Sequence, residues 1–326
     1  MSTRRALIVG IDKYPTAPLK GCVADARAMD AALSRNGDDS PNFSVKTHLN
    51  VETRAELKTL VEDCFADGCD IALFYYSGHG GRDDTTNKGY LVTPDCSRSS
   101  DGLDLDDILA IVIASKVPNK VIFLDSCYSG QLGAPGILGG TSTLISEGLT
   151  MLSACRATEG AIEEDGRGVF TKLLVEALQG GAADITGHIT PGGVYAYIDK
   201  ALGPWDQRPV FKTNVTSFVS LRNVIPQVPV SILRKVKDYF ETPTSRLGLD
   251  PSFEPTNKPD IPHALVEPYA TEDNTKIFSD LQKLEGIGLV RPVGTEHMYF
   301  AAMESLECEL TAMGQQYWRL ASTGKI

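Results

Sequence analysis

VIFLDSCYSG, residues 121–130, is the stretch that decides the fold of this chain. Four bulky apolar residues followed by polar ones predict a fully buried strand of a parallel sheet. An upstream run of the same kind, DIALFYY at residues 70–76, leads into SGHGG at residues 77–81. Each predicted strand therefore carries a reactive side chain just beyond its carboxyl end, an imidazole in one case and a thiol in the other.

These two reactive residues, His79 and Cys127, are expected at the same edge of the sheet. Loops that leave the carboxyl ends of adjacent parallel strands meet there, and sites form where they meet. A thiol of ordinary pKa is mostly protonated at pH 7, so a nucleophilic cysteine needs a base beside it. Either residue alone is more typical of packing or of a solvated loop. Together, each between small residues at a strand end, they predict a catalytic dyad.

The rest of the first two thirds of the chain alternates between strand and helix patterns. This alternation predicts an α/β fold with a mostly parallel, doubly wound sheet. The predicted strands are 6–11, 43–49, 70–76, 90–94, 121–124, 149–155 and 209–221, and the predicted helices are 19–33, 52–66, 105–114, 168–178 and 190–202.

Composition changes after Asn223, which predicts a first domain at 1–223. A helix over 230–240 and six prolines between 243 and 268 predict a connecting helix and a semi-rigid linker at 224–268. Residues 269–326 predict a small α+β domain that contains a helix at 275–288, a hairpin at 289–300 with its turn at Gly294, and a helix at 310–320. This pattern resembles a winged-helix domain.

SGHGG followed by DSCYSG resembles the caspase-like cysteine peptidases, specifically the metacaspase and bacterial orthocaspase branch. The two catalytic residues are separated by close to the roughly 50 positions typical of caspases, with the histidine first. The resemblance covers about residues 4–221. It implies a three-layer α/β/α sandwich fold and the cleavage of protein substrates. It assigns His79 and Cys127 as the dyad and the backbone N–H groups of Gly80 and Cys127 as the oxyanion hole. Tyr128 departs from the histidine that many metacaspases carry there, and the animal-caspase pentapeptide is absent.

The resemblance also implies an acidic pocket for the residue before the scissile bond. In metacaspases this pocket is built by a Gly-Cys-x-x-Asp-Ala motif, the serine of Ser-Gly-His-Gly and the aspartate two before the nucleophile. The matching residues are Cys22, Asp25, Ser77 and Asp125. Two carboxylates in a partly dehydrated slot favour Arg, then Lys, and repel Asp. The alternative is that Asp25 is a solvated helix residue and Asp125 only caps a turn.

No cofactor is expected, although many metacaspases need calcium. Carboxylates suit this cation, and the resemblance offers Asp106 and Asp107 as weak ligand candidates, with Asp83 or Asp84 beside them. The aspartate expected seven positions after the nucleophile is Ala134 here. The alternative role of Asp106 and Asp107 is to stabilise a helix N-terminus.

Charge and cysteine content restrict the partners and the compartment. The chain of 326 residues has 31 Lys and Arg against 42 Asp and Glu, a net charge of −11. This balance gives no general attraction to nucleic acid or to anionic membranes. No apolar run approaches the roughly 18 residues of a membrane span. Seven cysteines without a Cys-x-x-Cys pair predict reduced thiols and a cytoplasmic protein.

The C-terminal region is expected to bind a small molecule or a protein, not DNA. Residues 225–326 contain ten Lys and Arg against fourteen Asp and Glu, which is a poor match to phosphates. This composition fits a C-terminal region that restrains the peptidase until a signal arrives. The resemblance implies a regulated bacterial effector of cell death or antiphage defence, with self-cleavage at Arg156 or Arg167 left open. The rival reading is a catalytically idle ligand-sensing or protein-binding module; a phosphate-binding loop of the Gly-x-x-x-x-Gly-Lys type is absent.

Overall fold

The computed structural model describes residues 3–83, 86, 88–98, 101–126, 146–154, 163–164, 167–203, 209–259 and 265–326. The chain divides into two compact units, Met1–Ile225 and Pro226–Ile326. The division lies close to the boundary that the change in composition predicts after residue 223.

The first unit alternates strands and helices along the chain. Its described strands are β1 (Arg4–Gly10), β2 (Ser44–Leu49), β3 (Ile71–Ser77), β4 (Gly80–Arg82), β5 (Gly89–Leu91), β6 (Leu103–Asp104), β7 (Asn119–Asp125), β8 (Leu149–Ser153), β9 (Glu163–Glu164), β10 (Arg167–Gly168), β11 (His188–Ile189), β12 (Val210–Asn214) and β13 (Arg222–Asn223). Its described helices are α1 (Cys22–Ser34), α2 (Arg54–Cys64), α3 (Leu105–Ala114), α4 (Val169–Glu176) and α5 (Pro191–Leu202).

The central sheet has the strand order β12-β8-β7-β3-β1-β2. All neighbours pair in parallel except β12, which runs antiparallel to β8. A smaller antiparallel sheet, β4-β5-β6, follows the His79 strand. The predicted α/β class with a mostly parallel sheet is confirmed.

Alternate side chains of β3 enter two separate cores, one on each face of the sheet. Phe74 and Tyr76 belong to a cluster with residues of α2 and α3, whereas Leu73 and Tyr75 belong to a cluster with residues of α1, α4 and α5. Because helices cover both faces, all seven residues of β3 are buried, which explains its continuous apolar sequence. The three layers α/β/α are therefore present.

Helix α1 begins at Cys22, later than the predicted start at residue 19. The carboxylate of Asp12 accepts hydrogen bonds from the amide groups of Cys22 (2.9 Å) and of the next residue (3.4 Å). These amides have no partner inside a helix, so Asp12 fixes where the helix starts. Gly10 allows α1 to approach β1, because a Cβ at Gly10 would lie 2.7 Å from the Cβ of Ala26.

The predicted last strand, 209–221, is shorter in the structure. Strand β12 ends at Asn214, and β13 pairs with β11 instead of extending the central sheet. Leu221 joins this second pairing by donating its amide N–H to the carbonyl of Ile189 at 2.7 Å. Residues of high β propensity therefore continue beyond the strand, because propensity describes side chains and does not supply a pairing partner.

The second unit combines helices with a small antiparallel sheet. Its described elements are α6 (Val230–Tyr239), β14 (Arg246–Gly248), α7 (Glu272–Gly286), β15 (Val290–Val293), α8 (Met298–Met303), β16 (Glu307–Leu310) and α9 (Ala312–Ser322). The strand order is β14-β16-β15, with β16 antiparallel to both neighbours. Trp318 on α9 donates its indole N–H to the carbonyl of Phe240, next to the end of α6, at 2.7 Å.

The predicted hairpin over 289–300 is wrong, because its second arm is the helix α8. Met298, Ala301 and Ala302 are buried at helical spacing, and the partner of β15 is β16. A run of three apolar residues is too short to distinguish the alternation of a strand from the 3.6-residue period of a helix. The resemblance to winged-helix domains stays a prediction.

The stretch predicted as a connecting helix and linker, 224–268, contributes to the second unit. Strand β14 lies within it and pairs with β16. Pro251–Phe253 form a buried 3₁₀ turn, and the buried Asn257 amide donates to the carbonyls of Pro251 (2.9 Å) and Val266 (2.7 Å). Prolines fix the backbone angle φ, but a segment with fixed φ can form part of a folded unit as well as a linker between units.

Among the residues that the structure describes, no helix has both the length and the apolar character needed to cross a bilayer.

Candidate active site

The two sequence motifs leave the sheet side by side. Strands β3 and β7 are parallel neighbours, and their last residues, Ser77 and Asp125, are register partners. The amide N–H of Gly78 donates to the carbonyl of Asp125 at 3.3 Å, just beyond the last pair. The chain after each strand therefore starts from the same edge, as the spacing predicted.

Several predicted residues lie outside the described part of the chain, namely Asp84, Cys127, Tyr128, Ala134 and Arg156. The chain is described as far as Ser126, one residue before the predicted nucleophile. The pairing of Cys127 with His79 therefore stays a prediction.

His79 is held by the loop that follows β1. Its Nε2 lies 2.6 Å from the carbonyl oxygen of Ala17, so a proton on Nε2 completes a hydrogen bond to that acceptor. A neutral imidazole carries one proton, and this tautomer leaves Nδ1 as the acceptor. His79 is thus oriented to take a proton at Nδ1.

Two tyrosines fix the backbone and the ring of His79. The amide N–H of His79 donates to Oη of Tyr14 at 3.0 Å, and the two rings lie 4.5 Å apart between centroids. Oη of Tyr76 lies 3.0 Å from the His79 carbonyl and 3.2 Å from Oη of Tyr14. Burial raises the pKa of both tyrosines well above the ordinary value, so both keep their hydroxyl protons. Neither tyrosine was recognised from sequence, because no motif marks them.

The amide of Gly80 is not used by its strand partner. Val92 donates its N–H to the His79 carbonyl at 3.0 Å, on one side of the Gly80–Leu91 pair of β4 and β5. This bond makes Gly80 and Leu91 a non-hydrogen-bonded pair of the antiparallel ladder, in which neither residue's own N–H points to the other strand. This geometry is compatible with the predicted oxyanion hole.

The four residues predicted to recognise substrate come from three elements and are all buried. Cys22 and Asp25 lie on α1, Ser77 ends β3 and Asp125 ends β7, with exposed fractions of 5%, 1%, 2% and 6%. Burial, with smaller contributions from the negative charges of Asp12, Asp125 and Asp25, raises the pKa of the Cys22 thiol to about 12, although a hydrogen bond with Ser77 acts in the opposite direction. The structure thus brings the four together, and Asp25 is not a solvated helix residue.

Three further residues surround the carboxylates and were missed from sequence. The amide of Gly168 donates to Oδ2 of Asp25 at 3.0 Å. The amide and hydroxyl of Thr171 donate to Oδ2 of Asp125 at 3.3 and 2.6 Å, and the hydroxyl of Tyr75 lies 2.6 Å from that of Thr171.

Gly168 must be a glycine because both carboxylates approach it. A Cβ at this position would overlap Oδ2 of Asp125 and lie 3.3 Å from Oδ2 of Asp25. The two carboxylates are therefore close to each other, under the start of α4. A glycine at the first position of the predicted helix 168–178 was the only signal in the sequence.

The weak calcium candidates are paired with cations. Asp106 forms an ion pair with Lys88 at 2.8 Å, and Asp107 forms one with Arg54 at 3.2 Å. No group of three or more potential ligands, counting His, Cys, Asp and Glu, occurs among the described residues. Asp106 and Asp107 lie in the first turn of α3, where the helix dipole favours them. The described residues do not fit a calcium site here.

Solved structures with the same fold define the class of this unit. Protein GSU0716 from Geobacter sulfurreducens has a TM-score of 0.51 at 20% identity, over 69% of this chain and 98% of that chain. Caspase-1 from Spodoptera frugiperda has a TM-score of 0.50 at 15% identity, over 68% and 92%. At such identities the likeness shows the fold alone, which is a caspase-like α/β fold.

Sequence comparison then identifies the family. The profile of the caspase domain, Peptidase C14, matches residues 3–191. Since this is more than half of the chain, the chain belongs to the caspase domain family, a class of cysteine-type peptidases.

Plant metacaspases are among the similar proteins. Metacaspase-4 of Arabidopsis thaliana is 34% identical over 152 residues, which cover 40% of this chain and 34% of that protein. Metacaspase-1 of the same plant is 30% identical over 150 residues, which cover 40% of each. The matched stretch thus spans well under half the length of these relatives.

Proposed function

We propose that this protein is a cysteine endopeptidase that cleaves proteins after Arg, with Lys second, through His79 and Cys127. The observation that carries the proposal is the buried carboxylate pair, Asp25 and Asp125, at the sheet edge from which His79 also leaves. Family membership supports the peptidase chemistry, and the pocket supports the specificity.

In the proposed reaction, Nδ1 of His79 takes the proton from the Cys127 thiol. The thiolate attacks the carbonyl carbon before the scissile bond, and the N–H groups of Gly80 and Cys127 stabilise the resulting oxyanion. The C–N bond then breaks, and His79 gives its proton to the leaving amine. Water, deprotonated by the same imidazole, hydrolyses the thioester and frees the enzyme.

The carboxylate pair suits a guanidinium better than an ammonium. Arg offers five N–H donors in a plane and can bind carboxylates in pairs of parallel bonds, whereas Lys offers a compact point charge. The bonds from Gly168 and Thr171 hold the two carboxylates in fixed positions. Preorganised charge in a dehydrated slot favours a cation and repels an Asp side chain.

Fluorogenic peptides that differ only in the residue before the scissile bond test the specificity. We expect the order Arg, then Lys, with no measurable cleavage after Asp. Cys127→Ala and His79→Ala should each abolish turnover. Asp25→Asn should lower kcat/KM for the Arg peptide about a hundredfold, because a buried charged hydrogen bond contributes about 1.5–3 kcal/mol.

Asp30→Asn is the matched control. Asp30 is also on α1 but binds Ser34 and Thr47, at 2.7 and 2.8 Å, away from the pocket. This variant should keep the Arg preference. Equal hydrolysis of Arg and Asp peptides by the wild type would refute the assigned specificity, and activity retained by Cys127→Ala would refute the dyad.

We also propose that the peptidase is a regulated bacterial effector of cell death or antiphage defence in the cytoplasm, switched by a small molecule or protein that binds residues 226–326. The resemblance to orthocaspases supports the biological role. The excess of acidic residues in this region favours such ligands over nucleic acid.

A further inference from the structure

A second cleft is lined by Tyr14, whose ring packs against His79. It has a volume of about 850 Å³ and opens at the carboxyl ends of β1 and β2. Its apolar lining comes from Tyr14, Pro15, Pro18, Leu49 and Pro94. Neither the sequence motifs nor the proposed specificity pocket uses this cleft.

Tyr14 connects the cleft to the catalytic histidine. Its ring lines the cleft and packs against the imidazole of His79 with 4.5 Å between centroids. Its hydroxyl accepts the His79 amide N–H at 3.0 Å. A group bound in the cleft therefore lies one ring away from the imidazole.

The cleft and the carboxylates lie on opposite faces of the sheet. Tyr14 and Tyr76 belong to the core that contains α2 and α3 residues, whereas Tyr75, which contacts the carboxylate pocket through Thr171, belongs to the core on the α1 and α4 face. His79 leaves the sheet edge between these two faces. In the proposed reaction, a peptide whose residue before the scissile bond occupies the carboxylate pocket would continue past His79 toward the other face.

The chemistry of the reaction gives the same direction. The histidine protonates the leaving amine, so the residues after the scissile bond start at the imidazole. We propose that the cleft binds apolar side chains of the first residues after the scissile bond, a proposal that rests on the peptidase function above.

The charged side chains that line the cleft leave only a small net charge. Lys13 is accompanied by two carboxylates, Glu52 and Asp95, for a formal charge of −1. Asp95 is already an acceptor for the Arg54 amide at 3.2 Å and for the Thr93 hydroxyl at 2.6 Å. Bulky apolar side chains are therefore the occupants with the most favourable binding free energy, because they remove the apolar lining of the cleft from water.

Two quenched peptides with Arg before the scissile bond test the proposal, one followed by Leu-Phe and the other by Gly-Gly. We expect kcat/KM to be about tenfold higher for the Leu-Phe peptide. Leu49→Ser should bring the ratio of the two rates close to one, because Leu49 is 36% exposed and lines the cleft. Ile113→Ser, which alters an Ile 44% exposed on α3 and outside the cleft lining, should keep the wild-type ratio.

The outcomes separate the two proposals. Equal rates for the two peptides in the wild type, or an unchanged ratio in a folded Leu49→Ser variant, would overturn the role of the cleft while cleavage after Arg still stands. Failure to cleave after Arg in either peptide would overturn the peptidase specificity itself, and the cleft assignment with it.

Discussion

Replacing Thr171 with valine tests how the buried carboxylate of Asp125 is stabilised. The Thr171 hydroxyl donates to Oδ2 of Asp125 at 2.6 Å, and the hydroxyl of Tyr75 lies 2.6 Å from it. Valine keeps the volume and the backbone N–H but removes the hydroxyl. Thr171 and Tyr75 are both 0% exposed, so water cannot replace the lost donor.

The two hydrogen bonds that the substitution removes set the size of the expected effect. A hydrogen bond to a charged group contributes about 1.5–3 kcal/mol, and a neutral one contributes about 0.5–1.5 kcal/mol. Loss of both bonds at Thr171 should lower the free energy of unfolding of the first unit by about 2–4 kcal/mol.

Urea denaturation, followed by far-UV circular dichroism, measures this loss. Thr150→Val is the matched control, because Thr150 is 2% exposed and its hydroxyl lies 2.9 Å from the hydroxyl of Thr213, without a carboxylate. It should cost only about 1 kcal/mol. If Thr171→Val destabilises the unit no more than Thr150→Val, the carboxylate does not depend on the hydroxyl and the reasoning fails.

In the second unit, burial by itself raises the pKa of Asp280, but hydrogen bonds from Tyr239 (2.6 Å) and Lys235 (3.1 Å) outweigh it and lower the pKa below the ordinary value. A lowered pKa in the folded state means that the stabilisation is present above about pH 4 and is lost as the pH falls through the folded value. Asp280→Asn should therefore lower the free energy of unfolding by about 1–2 kcal/mol at pH 7 and by less at about pH 2.5. Urea titration at the two pH values measures both losses, and an equal loss at the lower pH contradicts this account. Separately, residues 1–225 alone should cleave the Arg peptide about fivefold faster than the full chain if the second unit restrains the peptidase. A folded fragment that is no faster would exclude such restraint.

Much of the first unit could be predicted from sequence because its signals are local. The continuous apolar run of β3 and the helical spacing of α3 need no knowledge of distant residues, and α3 begins and ends where predicted. The order of the motifs placed His79 at the correct edge, since adjacent parallel strands carry their loops to the same side.

Other features depend on partners that lie far away in the chain. Short apolar runs fit two periods, so the segment that begins at Met298 was assigned to a strand although it is a helix. Dense prolines predicted a linker, yet the chain there is buried around Asn257. The resemblance to metacaspases offered Asp106 and Asp107 as weak calcium candidates, and in the fold Lys88 and Arg54 form ion pairs with them.

The sequence by itself determined the class of the sheet and the edge that carries His79. Both follow from periodicity and motif order, which are properties of neighbouring residues, whereas the four predicted pocket residues came from the resemblance to metacaspases. Only the tertiary structure decided that Gly168 and Thr171 hold the carboxylates, that Tyr14 supports the imidazole and that a cleft lies beside it. Hydrogen bonds and packing between segments far apart in the chain leave no periodic signal, because the partners are chosen by the folded chain.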